Sequence, residues 1–129
     1  MTLRRVLKGI GWLLVAMVTW LCLIPSQQLP DAPEALTDKG YHLLAYTLLA
    51  LWFAGLIPRQ GWWRAASWLL VMGIGIEIAQ HLMPFGREAE WLDGVANALG
   101  TLVGFGLARL GLDRWPSWVA SMLGRRAVT

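Results

Sequence analysis

The chain has 129 residues, of which 57% are hydrophobic and 15% charged, with a mean hydropathy of +0.51. Soluble domains average about 45–50% apolar and about 25% charged residues, so this composition excludes a disordered chain and is typical of an integral membrane protein. A single cysteine, Cys22, excludes a disulfide scaffold, and the length allows one domain.

Four apolar segments follow one another along the chain, each ending at or near a proline or a charged residue. At about 1.5 Å per residue, segments of about 17 to 20 residues match the hydrocarbon thickness of a bilayer. We therefore predict an all-α membrane four-helix bundle whose spans are residues 9–25, 40–58, 65–83 and 91–110. The short connections favour antiparallel packing of successive helices.

The basic residues predict the orientation of these spans. If the four spans alternate in direction, nine of the eleven lysines and arginines lie on one side, leaving only Lys39 and Arg87 on the other. The positive-inside rule then places both termini in the cytoplasm of a multi-pass inner-membrane protein. This topology accounts for the formal net charge of +3, so the basic character gives no reason to predict nucleic-acid binding.

The two ends of the chain need separate interpretation. The immediate neighbours of Cys22 are the large residues Trp20, Leu21, Leu23 and Ile24, so we do not expect the first span to be removed as a signal peptide. Residues 1–112 are predicted to form the membrane domain, and residues 113–129 a cytoplasmic tail. In this tail Trp115, Trp118 and Met122 recur at helical spacing, which predicts an interfacial amphipathic helix; a frayed tail is the alternative.

Polar side chains inside the spans carry the functional signal. An ionisable group at mid-span costs about 2.5–3.5 kcal/mol on insertion scales, and such groups are functional by default. When depth is counted from the span ends, all of these polar side chains fall in the outer half of the membrane. Their common depth predicts one shared pocket that opens outward. They are Asp38, His42 and Tyr46 on the second span, Glu77 and Gln80 on the third, and Asp93 and Asn97 on the fourth.

Small residues on the fourth span predict close helix packing beside this pocket. Gly100 and Gly104 form a GxxxG pair that continues the face of Asp93 and Asn97. Glycines allow two helix backbones to approach each other in a membrane. We therefore expect these two glycines to serve the geometry of the site.

These residues also form three signatures that resemble the VanZ-like membrane protein family. The resemblance covers about residues 37–104 and implies a cell-envelope role, because the namesake is associated with resistance to the glycopeptide teicoplanin. It implies no particular reaction, and Glu88 and Glu90 make the third signature's loop more acidic than the family pattern. The signatures are D-K-x-x-H-x-x-x-Y at Asp38, Lys39, His42 and Tyr46; E-x-x-Q at Glu77 and Gln80; and R-x(5)-D-x(3)-N-x-x-G-x(3)-G at Arg87, Asp93, Asn97, Gly100 and Gly104.

The predicted pocket suits a ligand or a reaction at the outer membrane face. His42, Glu77 and Asp93 are the candidate catalytic residues, with Glu77 and His42 exchanging a proton. The partners predicted are the lipid bilayer and an envelope lipid or lipid-linked precursor, held by a second group of polar residues. These candidate ligand-binding residues are Asp38, Lys39, Tyr46, Gln80, Arg87 and Asn97.

Three other interpretations stay open. The polar residues could act only as interhelical glue in a structural or accessory subunit, through contacts such as Asn97–Gln80, Arg87–Asp93 or Asp38–Lys39. No helix has the spacing of a metal motif, so neither a metal nor a cofactor is predicted, although His42, Glu77 and Asp93 together offer ligands for a divalent ion. A proton pathway ranks last, because the inner halves of the second and fourth spans lack ionisable residues.

Overall fold

The computed structural model describes residues 2–25, 28, 38–84 and 90–124. Within these residues the chain is helical and contains no strand. Short 3₁₀ turns at Arg59–Gly61 and Leu112–Arg114 precede the third and fifth helices. The five α-helices are α1 (Leu3–Leu23), α2 (Asp38–Ala54), α3 (Trp62–Leu82), α4 (Trp91–Arg109) and α5 (Trp115–Met122).

Helices α1, α3 and α4 are long and apolar enough to cross a membrane, as judged from length and composition. This agrees with the prediction of a membrane protein. Helix α2 is shorter, with 17 residues, or about 25 Å at 1.5 Å per residue. The stretch that qualifies around α3 begins in the preceding turn, at Arg59.

The helix boundaries differ from the predicted spans mainly at the start of α1. This helix begins at Leu3 and not at residue 9, because Arg4, Arg5 and Lys8 continue the helix beyond its apolar part. Arginine and lysine are good helix formers, so charge ends a span without ending a helix. The helix ends at Leu23, and Ile24, which precedes Pro25, is extended with φ −71° and ψ 150°, as expected before proline.

The core of the fold is the contact between α2 and α4, the most extensive helix pair among the described residues. The two helices run parallel, since His42 meets Asn97 near their first turns and Thr47 meets Gly104 further along. A Cβ atom at Gly104 would lie 2.5 Å from the Thr47 carbonyl oxygen. The absence of a side chain there lets the backbones approach.

Helix α1 packs antiparallel to α2 and is fixed at both ends by side-chain hydrogen bonds. Near its start, the Trp52 indole N–H donates to the Leu7 carbonyl at 3.1 Å, and the Arg4 guanidinium donates to the Leu56 carbonyl at 2.9 Å. Near its end, the Gln80 amide of α3 donates to the Cys22 carbonyl at 2.7 Å. These contacts set α1 against both α2 and α3.

The predicted C-terminal helix exists as α5, and it packs on the bundle. The Trp115 indole N–H donates to the Leu51 carbonyl at 3.2 Å, and its ring centroid lies 4.5 Å from that of Trp52. Trp118 and Met122 remain exposed, at 46% and 85%. The tail therefore attaches through the start of its helix, while its other large apolar side chains face outward.

Candidate functional site

The polar site lies at the end of the bundle where α2 and α4 begin. We call the group of five charged or ionisable residues found there the His42 cluster: Asp38, Lys39, His42, Glu90 and Asp93. Helix periodicity brings Asp38 and His42 together, since they are four residues apart on α2. Asp93, in the first turn of α4, faces them because α2 and α4 run parallel.

His42 is the centre of the cluster and is oriented by Asn97. Its side chain is 4% exposed, and the imidazole Nδ1–H donates to Asn97 Oδ1 at 3.0 Å. The other ring nitrogen, Nε2, lies 3.6 Å from Asp93 Oδ2 and 4.0 Å from Asp38 Oδ2. One nitrogen is therefore fixed by a buried amide, and the other is directed between two carboxylates.

Asp93 is a buried carboxylate whose two oxygens face different neighbours. Its side chain is 3% exposed; Oδ2 faces His42, and Oδ1 lies 3.4 Å from the Lys39 ammonium. Lys39 also donates a hydrogen bond to Glu90, which is half exposed. Buried charges need such partners, because an unpaired charge in an apolar interior is strongly disfavoured.

The cluster carries an excess of negative charge. It contains three carboxylates, from Asp38, Glu90 and Asp93, and one ammonium, so two negative charges remain when His42 is neutral. Lys39 precedes the second predicted span, which starts at Gly40. Its hydrogen bond to Glu90, aided by the charge of Asp93, raises its pKa above the ordinary value. Lys39 is thus held in its charged form.

Beneath the cluster, a narrow region between α2, α3 and α4 holds Tyr46 and Asn97. Tyr46 is fully buried, and its hydroxyl has no hydrogen-bond partner among the described residues. A Cβ atom at Gly73 of α3 would lie 3.1 Å from Asn97 Nδ2 and 3.2 Å from the Tyr46 hydroxyl. Gly73 therefore lets α3 close over both polar side chains.

Glu77 and Gln80 lie on α3, to one side of the His42 cluster. Both carboxylate oxygens of Glu77 are buried, but Glu77 is not part of the group of close donor atoms formed by Asp38, His42 and Asp93. Gln80 is 2% exposed and donates to the Cys22 carbonyl. The proton exchange between Glu77 and His42 stays a prediction.

Among the described residues, Asn97 and Gln80 each bond a partner other than the one that the glue interpretation named, while its Arg87–Asp93 pair is not tested. Asn97 bonds His42 and Gln80 bonds α1, while Lys39 pairs with Glu90 and Asp93. Sequence reasoning missed Glu90 as a member of the site; its position immediately before α4 was the available signal. Arg87 lies outside the described residues.

Gly100 and Gly104 lie where the site requires close packing. Both are buried against α2, and a Cβ atom at Gly100 would overlap the Leu43 carbonyl oxygen and lie 3.0 Å from Tyr46 Cβ. Asp93, Asn97, Gly100 and Gly104 thus occupy the buried face of α4. This packing is what holds Asn97 within hydrogen-bond distance of His42.

Comparison with known proteins returned no relative. No protein-family model, curated protein or solved structure matches the chain.

The chemistry of the cluster follows from its donor atoms. An imidazole oriented by an amide and facing a carboxylate has the arrangement of a general base and its partners. The donor atoms of Asp38, His42 and Asp93 all lie within 4.8 Å of one another, which makes these three residues a candidate set of metal ligands. Carboxylate oxygens also accept hydrogen bonds from hydroxyl groups of a ligand.

Proposed function

We propose that this chain is a four-span inner-membrane protein that binds a polar lipid-linked ligand of the cell envelope at the His42 cluster. The observation that carries the proposal is the burial of His42 and Asp93, 4% and 3% exposed, between helices of a membrane protein. Ionisable groups in such helices are costly and mark functional sites. The resemblance to VanZ-like membrane proteins supports a role in the envelope.

The orientation proposed here has both termini in the cytoplasm and the His42 cluster at the outer face. It is supported by the separation of charge between the bundle ends. Arg4 and Arg59 lie at one end, where Arg59 pairs with Asp113 at 2.9 Å. The acidic His42 cluster lies at the other end, and the positive-inside rule assigns the basic end to the cytoplasm.

Cysteine labelling tests this orientation. In a Cys22→Ser background, which removes the single native cysteine, we expect Pro84→Cys to react with a membrane-impermeant maleimide in intact cells. We expect Lys8→Cys, also an exposed position, to react only after the membrane is permeabilised. Labelling of Lys8→Cys in intact cells, or protection of Pro84→Cys, would contradict the proposed orientation.

The ligand chemistry follows from the groups that remain accessible. Asp38 and Glu90 are about half exposed and can accept hydrogen bonds from sugar hydroxyls, while Lys39, 35% exposed, can meet a phosphate. A sugar joined through phosphate to a membrane-anchored chain presents both groups at the membrane surface. Whether the protein also processes such a ligand depends on His42, the only imidazole in the cluster.

Native mass spectrometry with a short-chain polyprenyl-phosphate sugar tests the proposal. We expect delipidated protein to bind this lipid in preference to phosphatidylglycerol, and His42→Gln to weaken binding about tenfold, equivalent to about 1.4 kcal/mol. The matched control is His81→Gln, which changes the other histidine, exposed near the end of α3. Equal binding of both lipids, or no effect of His42→Gln, would contradict the proposal.

One observation favours a second function, that of a structural clasp. Two contacts of the buried polar side chains, His42–Asn97 and Lys39–Asp93, join α2 to α4. A protein whose cluster served only this purpose would bind neither lipid selectively. Its His42 variants would lose stability without any separate loss of binding.

A further inference from the structure

We propose that Asp38, His42 and Asp93 form a binding site for one divalent transition-metal ion of the zinc class. The first observation is the convergence of their donor atoms, which all lie within 4.8 Å of one another. Zinc bonds to histidine nitrogen and carboxylate oxygen measure about 2.0–2.2 Å, so two ligand atoms of a tetrahedral ion lie about 3.3–3.6 Å apart. The 3.6 Å separation between His42 Nε2 and Asp93 Oδ2 matches this spacing. Asp38 Oδ2, at 4.0 Å from Nε2, would move closer on binding, which its 54% exposed side chain allows.

The second observation is independent of the acidic groups and concerns the direction of His42. Because Nδ1–H donates to Asn97, Nε2 of the neutral imidazole carries a lone pair, and this lone pair is directed at the carboxylates of Asp38 and Asp93. A lone pair facing two anionic oxygens is repelled by them, and a cation bound by all three atoms would remove this repulsion. His42 is also more than nine-tenths buried, and Nε2 lies 3.6 Å from Asp93 Oδ2 and 4.0 Å from Asp38 Oδ2.

The surroundings of His42 match those of a metal ligand. Metal-binding histidines almost always donate their second ring N–H to a carbonyl or carboxylate, which fixes the tautomer and the ring orientation. Asn97 Oδ1 has this position at 3.0 Å. A mixed set of one imidazole and two carboxylates suits zinc and its neighbours in the first transition row.

The charge of the cluster favours a divalent ion in particular. Two negative charges remain after Lys39 is counted against the three carboxylates, so one divalent ion neutralises the site. Lys39 approaches Asp93 from the side of Oδ1, whereas His42 approaches from the side of Oδ2. The ammonium and the proposed ion thus occupy different sides of Asp93.

The number of protein ligands has a functional consequence. Three protein ligands leave a coordination position for water or a ligand group, as in catalytic zinc sites. A metal ion held by these three residues would attract the phosphate of a lipid-linked ligand to a cluster that is otherwise acidic. This role in ligand binding rests on the proposed function, whereas metal binding itself does not.

Zinc titration of purified, untagged full-length protein in mild detergent tests the inference. After chelator treatment, we expect wild-type protein to bind one Zn²⁺ per chain in competition with a chromophoric chelator. We expect His42→Gln and Asp38→Asn each to lower the affinity by at least about tenfold, since even changes outside the ligand set cost about 10–100-fold. His81→Gln, which alters the only other histidine, should leave the affinity unchanged.

Asp38→Asn keeps the test decisive if His42→Gln fails to fold, because the Asp38 side chain is 54% exposed. Wild-type protein that binds no Zn²⁺, or variants of Asp38 and His42 that bind as the wild type does, would overturn the inference. Loss of binding in His81→Gln would overturn it too. Repeating the lipid-binding measurement with EDTA separates the two proposals. Lipid binding that persists without metal supports the proposed function alone, and Zn²⁺ binding by a protein that binds no lipid supports the metal site alone.

Discussion

Gly100→Ala is expected to destabilise the protein by about 1–3 kcal/mol, and Gly100→Leu by more. The added Cβ would overlap the backbone carbonyl oxygen of Leu43 and crowd Tyr46. A backbone atom cannot rotate away, so α2 and α4 would have to separate. Thermal melting in mild detergent, monitored by tryptophan fluorescence, measures this loss of stability.

Helix α4 offers a matched control for this substitution. A Cβ atom at Gly106 would meet nothing within 4 Å. Gly106→Ala should therefore leave the melting temperature unchanged or raise it, because alanine is favoured over glycine in a helix by up to about 1 kcal/mol. If Gly100→Ala melted at or above Gly106→Ala, the close approach of α2 and α4 would be refuted.

Asn97→Leu is expected to cost about 1–3 kcal/mol of stability, because it leaves the buried Nδ1–H of His42 without its acceptor. Leucine and asparagine have similar shapes, so the change removes the hydrogen bond while nearly preserving the volume. The control is Thr101→Val, one turn along α4. The Thr101 hydroxyl donates to the Asn97 carbonyl of its own helix at 2.8 Å, so its loss should cost less.

A double-mutant cycle assigns the Asn97 effect to its partner. In a His42→Leu background the hydrogen bond is already absent, and adding Asn97→Leu makes both side chains of the pair apolar. The cost of Asn97→Leu in that background should therefore fall to a small fraction of its value in the wild type. An unchanged cost in that background would show that the His42–Asn97 bond does not orient the imidazole. Zn²⁺ affinity measured on the same proteins then relates this orientation to metal binding.

Much of the site could be predicted because helical periodicity is a local property. The spacing of Asp38, His42 and Tyr46 places them on one side of α2, and that of Asp93, Asn97 and Gly100 does so on α4. The structure brings these two stripes together. Glu90 could not be identified in the same way, since its role depends on Lys39, which is 51 residues away in the sequence.

The metal ligands show where local patterns fail. The sequence left open a divalent ion on His42, Glu77 and Asp93, whereas the close donor atoms belong to Asp38, His42 and Asp93. All four residues lie on predicted spans or at their ends. Which of them meet depends on the rotation and direction of each helix about its neighbours, and periodicity within one helix does not specify this.

The sequence by itself determined that this is a helical membrane-type chain, approximately where its long helices lie, and which face of each carries polar groups. These properties depend on hydrophobicity and spacing along one segment. Only the tertiary structure decided that α2 and α4 pair in parallel through Gly100 and Gly104, that Lys39 meets Glu90, and that α5 packs on the bundle through Trp115. These contacts depend on shape complementarity between distant segments, which packing establishes.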